Sequence, residues 1–120
     1  MNTQKTGNLG EHAARAFLEN KGYMFVAQNF RSRYGEIDLI MQDGAVLVFV
    51  EVKTRKNANF AAGYEAVNRH KIERIRQTAE IWLSENDRTE SGRFDVIEVY
   101  VSTAKLEKSP EITHWEDAFY

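Results

Sequence analysis

The chain has 120 residues, of which 42% are hydrophobic, 12% aromatic and 28% charged, with one proline and no cysteine. That composition fits one folded domain over residues 1–120 and excludes disordered, collagen-like and disulfide-stapled classes, together with Cys-type zinc sites and thiol chemistry. A formal net charge of −2 argues against a general nucleic-acid coating protein, yet residues 53–76 hold seven Lys/Arg against two Asp/Glu and form a basic island.

The first ten residues are polar, without the apolar core of a signal peptide, and no run approaches the ~18 apolar residues of a membrane span. The expectation is a cytoplasmic protein that does not engage membranes. Asn8 or Thr6 suits the cap of a first helix over Asn8 to Lys21, in which Leu9, Ala13, Ala16 and Phe17 share a face and Gly22 gives the stop. Tyr23 to Phe30 is rich in β-formers, and Arg31, Arg33 and Gly35 mark a basic turn after it. A second strand runs from Glu36 to Met41. Asp43-Gly44 is a two-residue hairpin signal, because both residues tolerate positive φ.

The third strand is predicted over Val46 to Thr54, and its stretch Ala45 to Val50 is apolar without alternation, as in a central strand covered on both faces. Residues 55–63 read as a loop. Ile72, Ile75, Ala79 and Trp82 recur at helical spacing and give an amphipathic helix from Tyr64 to Glu85. Phe94 to Val101 alternates as a half-buried strand, and Ile112 to Trp115 suits a short last one. The order α, β, β, β, α, β with hairpins first and a helical crossover later predicts an α/β fold with a mixed central sheet flanked by helices.

Glu51-Val52-Lys53 leaves an apolar strand, and alternation puts Glu51 and Lys53 on one face. With the hairpin closed on Asp43-Gly44, Asp38 lies opposite Phe49 and one diagonal step from Glu51, while Glu36 lies opposite Glu51. Two such carboxylates repel, and Lys53 balances only one of them. The second is then available to a hard divalent cation that prefers oxygen, Mg²⁺ or Mn²⁺. The alternative is a salt-bridged cluster of Asp38, Glu51 and Lys53 at a solvated strand end. Glu11 offers a third carboxylate, against the alternative of a first-turn acid that pairs with Arg15. Arg55, Lys56, Arg69, Lys71, Arg74 and Arg76 follow the acids directly and suit a phosphodiester backbone, the alternative being a solvated helix face. Glycine signatures of dinucleotide and P-loop sites are missing.

An acid, then Asp, then Glu-x-Lys over this element order resembles the PD-(D/E)XK nuclease superfamily. More narrowly, Gly10-Glu11, Gly35-Glu36-Ile37-Asp38-Leu39-Ile40, Val48 to Arg55, Ala66-Val67 with Lys71 and Arg74, Arg93-Phe94-Asp95-Val96, and His114 with Ala118-Phe119 resemble the YraN family of bacterial endonuclease-like proteins. The resemblance implies a restriction-endonuclease-like αβββαβ core related to Holliday-junction resolvases. It also implies Asp38 and Glu51 as metal ligands with the Val52 carbonyl, Lys53 as the catalytic lysine and Glu11 as the first-helix acid. The implied activity is Mg²⁺- or Mn²⁺-dependent hydrolysis of DNA, with Arg31, Arg33 and the basic island holding the strand and, by analogy with the resolvases, a homodimer. Two other readings stay open: a non-catalytic nucleic-acid-binding module on the same fold, and a protein-interaction domain built on the acidic residues after position 76.

Overall fold

The computed structural model describes residues 3–55, 69–101 and 111–118, with side chains from Leu9 onward. Helix α1 (Thr3–Asn20) is followed by strands β1 (Met24–Ser32), β2 (Gly35–Asp43) and β3 (Val46–Arg55), helix α2 (Arg69–Glu85), and strands β4 (Ser91–Tyr100) and β5 (Glu111–Trp115). The five strands form one sheet in sequential order, antiparallel except for the parallel β3–β4 pair. The expected mixed sheet flanked by helices is present. Of the longer second helix, residues 64–68 lie outside the described residues, as does Lys56. Among the described residues no helix is long and apolar enough to cross a membrane.

Each helix covers one face of the sheet, so β3 is buried on both sides, as its unbroken apolar run implies. Ala14 and Leu18 of α1 pack on Leu39, Met41, Val48, Val50, Ile97 and Val99. Ile75, Ala79 and Trp82 of α2 pack on Ile37, Ile40, Leu47, Phe49 and Val96. Full burial of one such aliphatic side chain contributes about 1.5–3 kcal/mol, so the two layers hold the sheet between them. Gly10 sets how closely α1 lies over the end of β3, because a Cβ there would come within 2.0 Å of Thr54 Oγ1.

The β2–β3 register differs from the expected one. Asp43 pairs with Val46 and Leu39 with Val50, so Gly44 and Ala45 are the turn residues, and Gly44 takes the positive φ (60°) at the first turn position. Asp38 therefore does not lie opposite Phe49, nor Glu36 opposite Glu51. A shift of two residues leaves the side chains of β3, Glu51 and Lys53 among them, on their expected face, because strand periodicity is two.

Candidate active site

The acids meet where β2 stops alternating. Ile37 joins the α2-side core, yet Leu39, two residues on, joins the α1-side core, so the strand reverses its faces at Asp38. On the neighbouring strand Asn29 adopts φ 53°, a left-handed conformation that Asn accepts more readily than most residues, and the β1–β2 ladder skips the Asn29–Asp38 step. The β2–β3 ladder ends at Leu39–Val50. Just beyond it, the Val52 N–H donates to Asp38 Oδ2 at 2.7 Å. A carboxylate thus takes a backbone donor at the point where the two strands separate.

Glu51 and Lys53 alternate onto the α2 face, opposite to Val48 and Val50. Lys53 Nζ stands 3.4 Å from Glu51 Oε1, and Lys71 Nζ of α2 reaches the same oxygen at 2.8 Å. Burial pushes Asp38 up to about 7, and the charge of Glu51, with smaller contributions from Glu11 and Glu36, adds to it against the Val52 hydrogen bond. Burial and the adjacent Lys71 ammonium push Lys53 below the ordinary lysine range, outweighing the attraction of Glu51. Burial opposes the charge of Lys71 as well, but its bonds to Glu51 and Lys53 prevail and raise it.

Glu11 lies in the middle of α1, which begins at Thr3, and not in a first turn. Arg15 pairs with Glu19 (3.4 Å) and lies over the Phe25 ring instead of pairing with Glu11. Glu11 is instead linked to the site by Asn29. With its amide nitrogen turned toward the carboxylates, Asn29 donates to Glu11 Oε1 at 3.1 Å and Glu36 Oε1 at 3.2 Å. Burial raises the Glu11 carboxyl, partly offset by the Asn29 bond. Glu36 also takes Arg31 Nε at 3.2 Å.

The basic residues divide. Lys71 and Arg74 line a cavity of about 560 Å³ with Tyr34, Glu36 and His70, beside the acids. Arg69 is exposed at the start of α2, and Arg33 lies over the Tyr34 ring on the β1–β2 turn. Arg76 is half-buried over Phe94, on the core side of α2. Arg55 Nε points to Glu98 (3.9 Å), a fully buried acid that also accepts from Trp115 Nε1 (2.7 Å) and the Tyr100 hydroxyl (3.0 Å).

Two carboxylates, Asp38 and Glu51, suit an ion such as Mg²⁺, which takes one or two protein carboxylates and completes its shell with water and phosphate. Asp38 is buried, and the charge of Glu51 adds to the rise that burial causes, so a divalent ion between the two carboxylates would offset both. A closed cage is not formed: among the described residues no three His, Cys, Asp or Glu side chains come together as ligands.

The model of the uncharacterised protein family UPF0102 matches residues 10–99. The chain belongs to the UPF0102 family. This is the YraN family that the sequence resembles. A UPF0102 protein of Mycolicibacterium gilvum is 46% identical over 113 residues, covering 92% of this chain and 89% of that protein. A UPF0102 protein of Vibrio campbellii is 43% identical over 102 residues, covering 82% and 84%, and one of Caldanaerobacter subterraneus is 40% identical over 120 residues, covering 99% and 98%.

The UPF0102 match spans Glu11, Asp38, Glu51, Lys53 and all of α2, and it ends before a second polar cluster is complete. Asp95 is fully buried, bound by Arg93 Nε (2.9 Å), His114 Nε2 (2.7 Å) and the Asp117 N–H (3.0 Å). Lys21 Nζ lies 2.9 Å from His114 Nδ1, which assigns Nδ1 as acceptor and Nε2 as the donor to Asp95. Burial drives Asp95 up, but the bonds from His114, Arg93 and Asp117 outweigh it and hold it below the usual carboxylate range. This cluster fastens β5 and the segment after it to β4. His114 is thereby bonded through both ring nitrogens.

Proposed function

We propose that this UPF0102 protein is a divalent-metal-dependent endonuclease acting on DNA. The observation that carries the reading is the Val52 N–H bond to Asp38, which holds that carboxylate against the Glu51-Val52-Lys53 segment. Asp38 and Glu51 would hold Mg²⁺ or Mn²⁺, with the Val52 carbonyl as a backbone ligand. Such an ion supplies Lewis-acid polarisation of the phosphate and a more acidic water. Lys53 faces the Glu51 carboxylate and, held below the ordinary lysine range, balances the charge that develops on the phosphate or takes a proton from the water. Glu11, linked to the cluster through Asn29, orients water at its edge. The cavity beside Lys71 and Arg74 would receive the strand, and Arg69, Arg31 and Arg33 extend the cationic surface. The cytoplasm, where DNA is, and a homodimer able to engage two strands belong to the same proposal.

The test is cleavage of plasmid and branched DNA with Mg²⁺ or Mn²⁺. Asp38→Ala and Glu51→Ala should each lower the rate by about 10²-fold or more. Activity that survives both changes removes the assignment. A second reading, a non-catalytic DNA-binding module, is favoured by the two lysines that already share Glu51. It predicts binding indifferent to chelators and to Glu51→Ala.

A further inference from the structure

Lys71 stands between two environments. Its ammonium makes the closest cation contact to Glu51, 2.8 Å against 3.4 Å for Lys53, and the same side chain lines the open cavity beside the acids. It is 41% exposed, so from its place on α2 it has access to a ligand in that cavity. Lys53, at 18%, is the more enclosed of the two.

The charges bound into the cluster are four carboxylates, Glu11, Glu36, Asp38 and Glu51, against three cations, Arg31, Lys53 and Lys71. Counted as ionised, they leave one negative charge. A divalent ion by itself turns the cluster to one positive, and one phosphodiester then brings it to neutrality. Without Lys71 the count starts at two negative, and the ion by itself neutralises it. Interactions among charges in a partly enclosed site are far less screened than in water, so a whole unit of charge at contact distance controls which ligands bind together.

We propose that Lys71 makes divalent-ion binding conditional on the phosphodiester: its charge opposes the ion while the cavity is open and holds the phosphate once the strand has entered. The two ligands then bind cooperatively, with Lys71 carrying the coupling. The inference rests on the metal-and-phosphodiester reading above and adds how that site is regulated. It gives α2 a purpose beyond general attraction for DNA, since Arg74 lines the same cavity with no bond to Glu51 among the described contacts.

The experiment is calorimetric titration of Mn²⁺ into the whole protein, with and without a saturating phosphorothioate oligonucleotide that resists cleavage. The wild-type protein should bind Mn²⁺ about tenfold more tightly with the oligonucleotide present. Lys71→Met should bind Mn²⁺ alone about tenfold more tightly than wild type and show little or no gain from the oligonucleotide, whereas Lys71→Arg should keep the coupling. Arg74→Gln should weaken oligonucleotide binding and leave the coupling in place. Coupling that persists in Lys71→Met, or that falls equally in Arg74→Gln, overturns the proposal while the metal site stands. If Asp38→Ala leaves Mn²⁺ binding unchanged, the metal reading falls and this inference with it.

Discussion

Asp38 is a carboxyl that the fold holds against its own ionisation. Its ordinary value of 3.8 is raised to about 7, chiefly by burial and then by Glu51. A folded value above the unfolded one means that the contribution of the protonated group is complete below about pH 4 and is lost as pH rises through about 7. Asp38→Asn, which keeps an acceptor for the Val52 N–H without the charge, should therefore be more stable than wild type at pH 8 in the presence of a chelator. The gain should shrink towards pH 4, and it is capped at roughly 4 kcal/mol by the size of the rise. Urea denaturation of the two proteins at several pH values measures it. A variant that is no more stable at pH 8 would show that Asp38 is not under strain. Asp95 runs with the opposite sign. Its folded value is depressed, so its contribution is present above the unfolded value and is lost as pH falls through the folded one. Asp95→Asn should cost about 3–5 kcal/mol at pH 7, because it removes the buried charge that Arg93 and His114 both bond, with the difference from wild type closing below pH 4. Hydrogen exchange should show the amides of β5 losing protection first.

Among the elements, α1 lies close over the end of β3 at Gly10. Gly10→Ala should cost about 1–3 kcal/mol, since the new Cβ meets Thr54 Oγ1, and the Gly10→Ala/Thr54→Ala pair should recover part of that loss in thermal denaturation. Glu11 follows Gly10 directly, so the same change should displace the acid from Asn29. Sequence spacing was sufficient for the order of strands and helices, because Ile72, Ile75, Ala79 and Trp82 on α2 and the unbroken run in β3 carry strong periodic signals. It misplaced the β2–β3 turn by one position, since Asp43-Gly44 and Gly44-Ala45 both satisfy the geometry of a short turn. The face assignment of Glu51 and Lys53 survived that error because the register moved by an even number. What periodicity could not show is the reversal at Asp38: it depends on Asn29, whose left-handed backbone is legible only as a weak preference of Asn. In the sequence Lys71 is one cation of a basic face, and its bond to Glu51, made across twenty residues, has no local signature. Asp95 and His114 stood out as members of a family pattern, but only packing reveals that they bind each other.

For the molecule as a whole, a net charge of −2 gives no general attraction to DNA, so the proposed affinity would come from the face that carries Lys71 and Arg74. Binding should weaken steeply with salt, and Arg74→Gln should reduce the slope of log K against log salt by about 1, measured by fluorescence anisotropy. A chelator should abolish cleavage while leaving some salt-dependent affinity. An unchanged slope in Arg74→Gln would place the strand elsewhere. The cluster draws Glu11 from one helical layer, Lys71 from the other, and Asp38, Glu51 and Lys53 from the sheet between them. Its members span sixty positions of the chain, so a nascent polypeptide emerging from the ribosome has the individual side chains long before it has their arrangement. Any activity seated here would therefore have to wait until both layers have docked on the sheet.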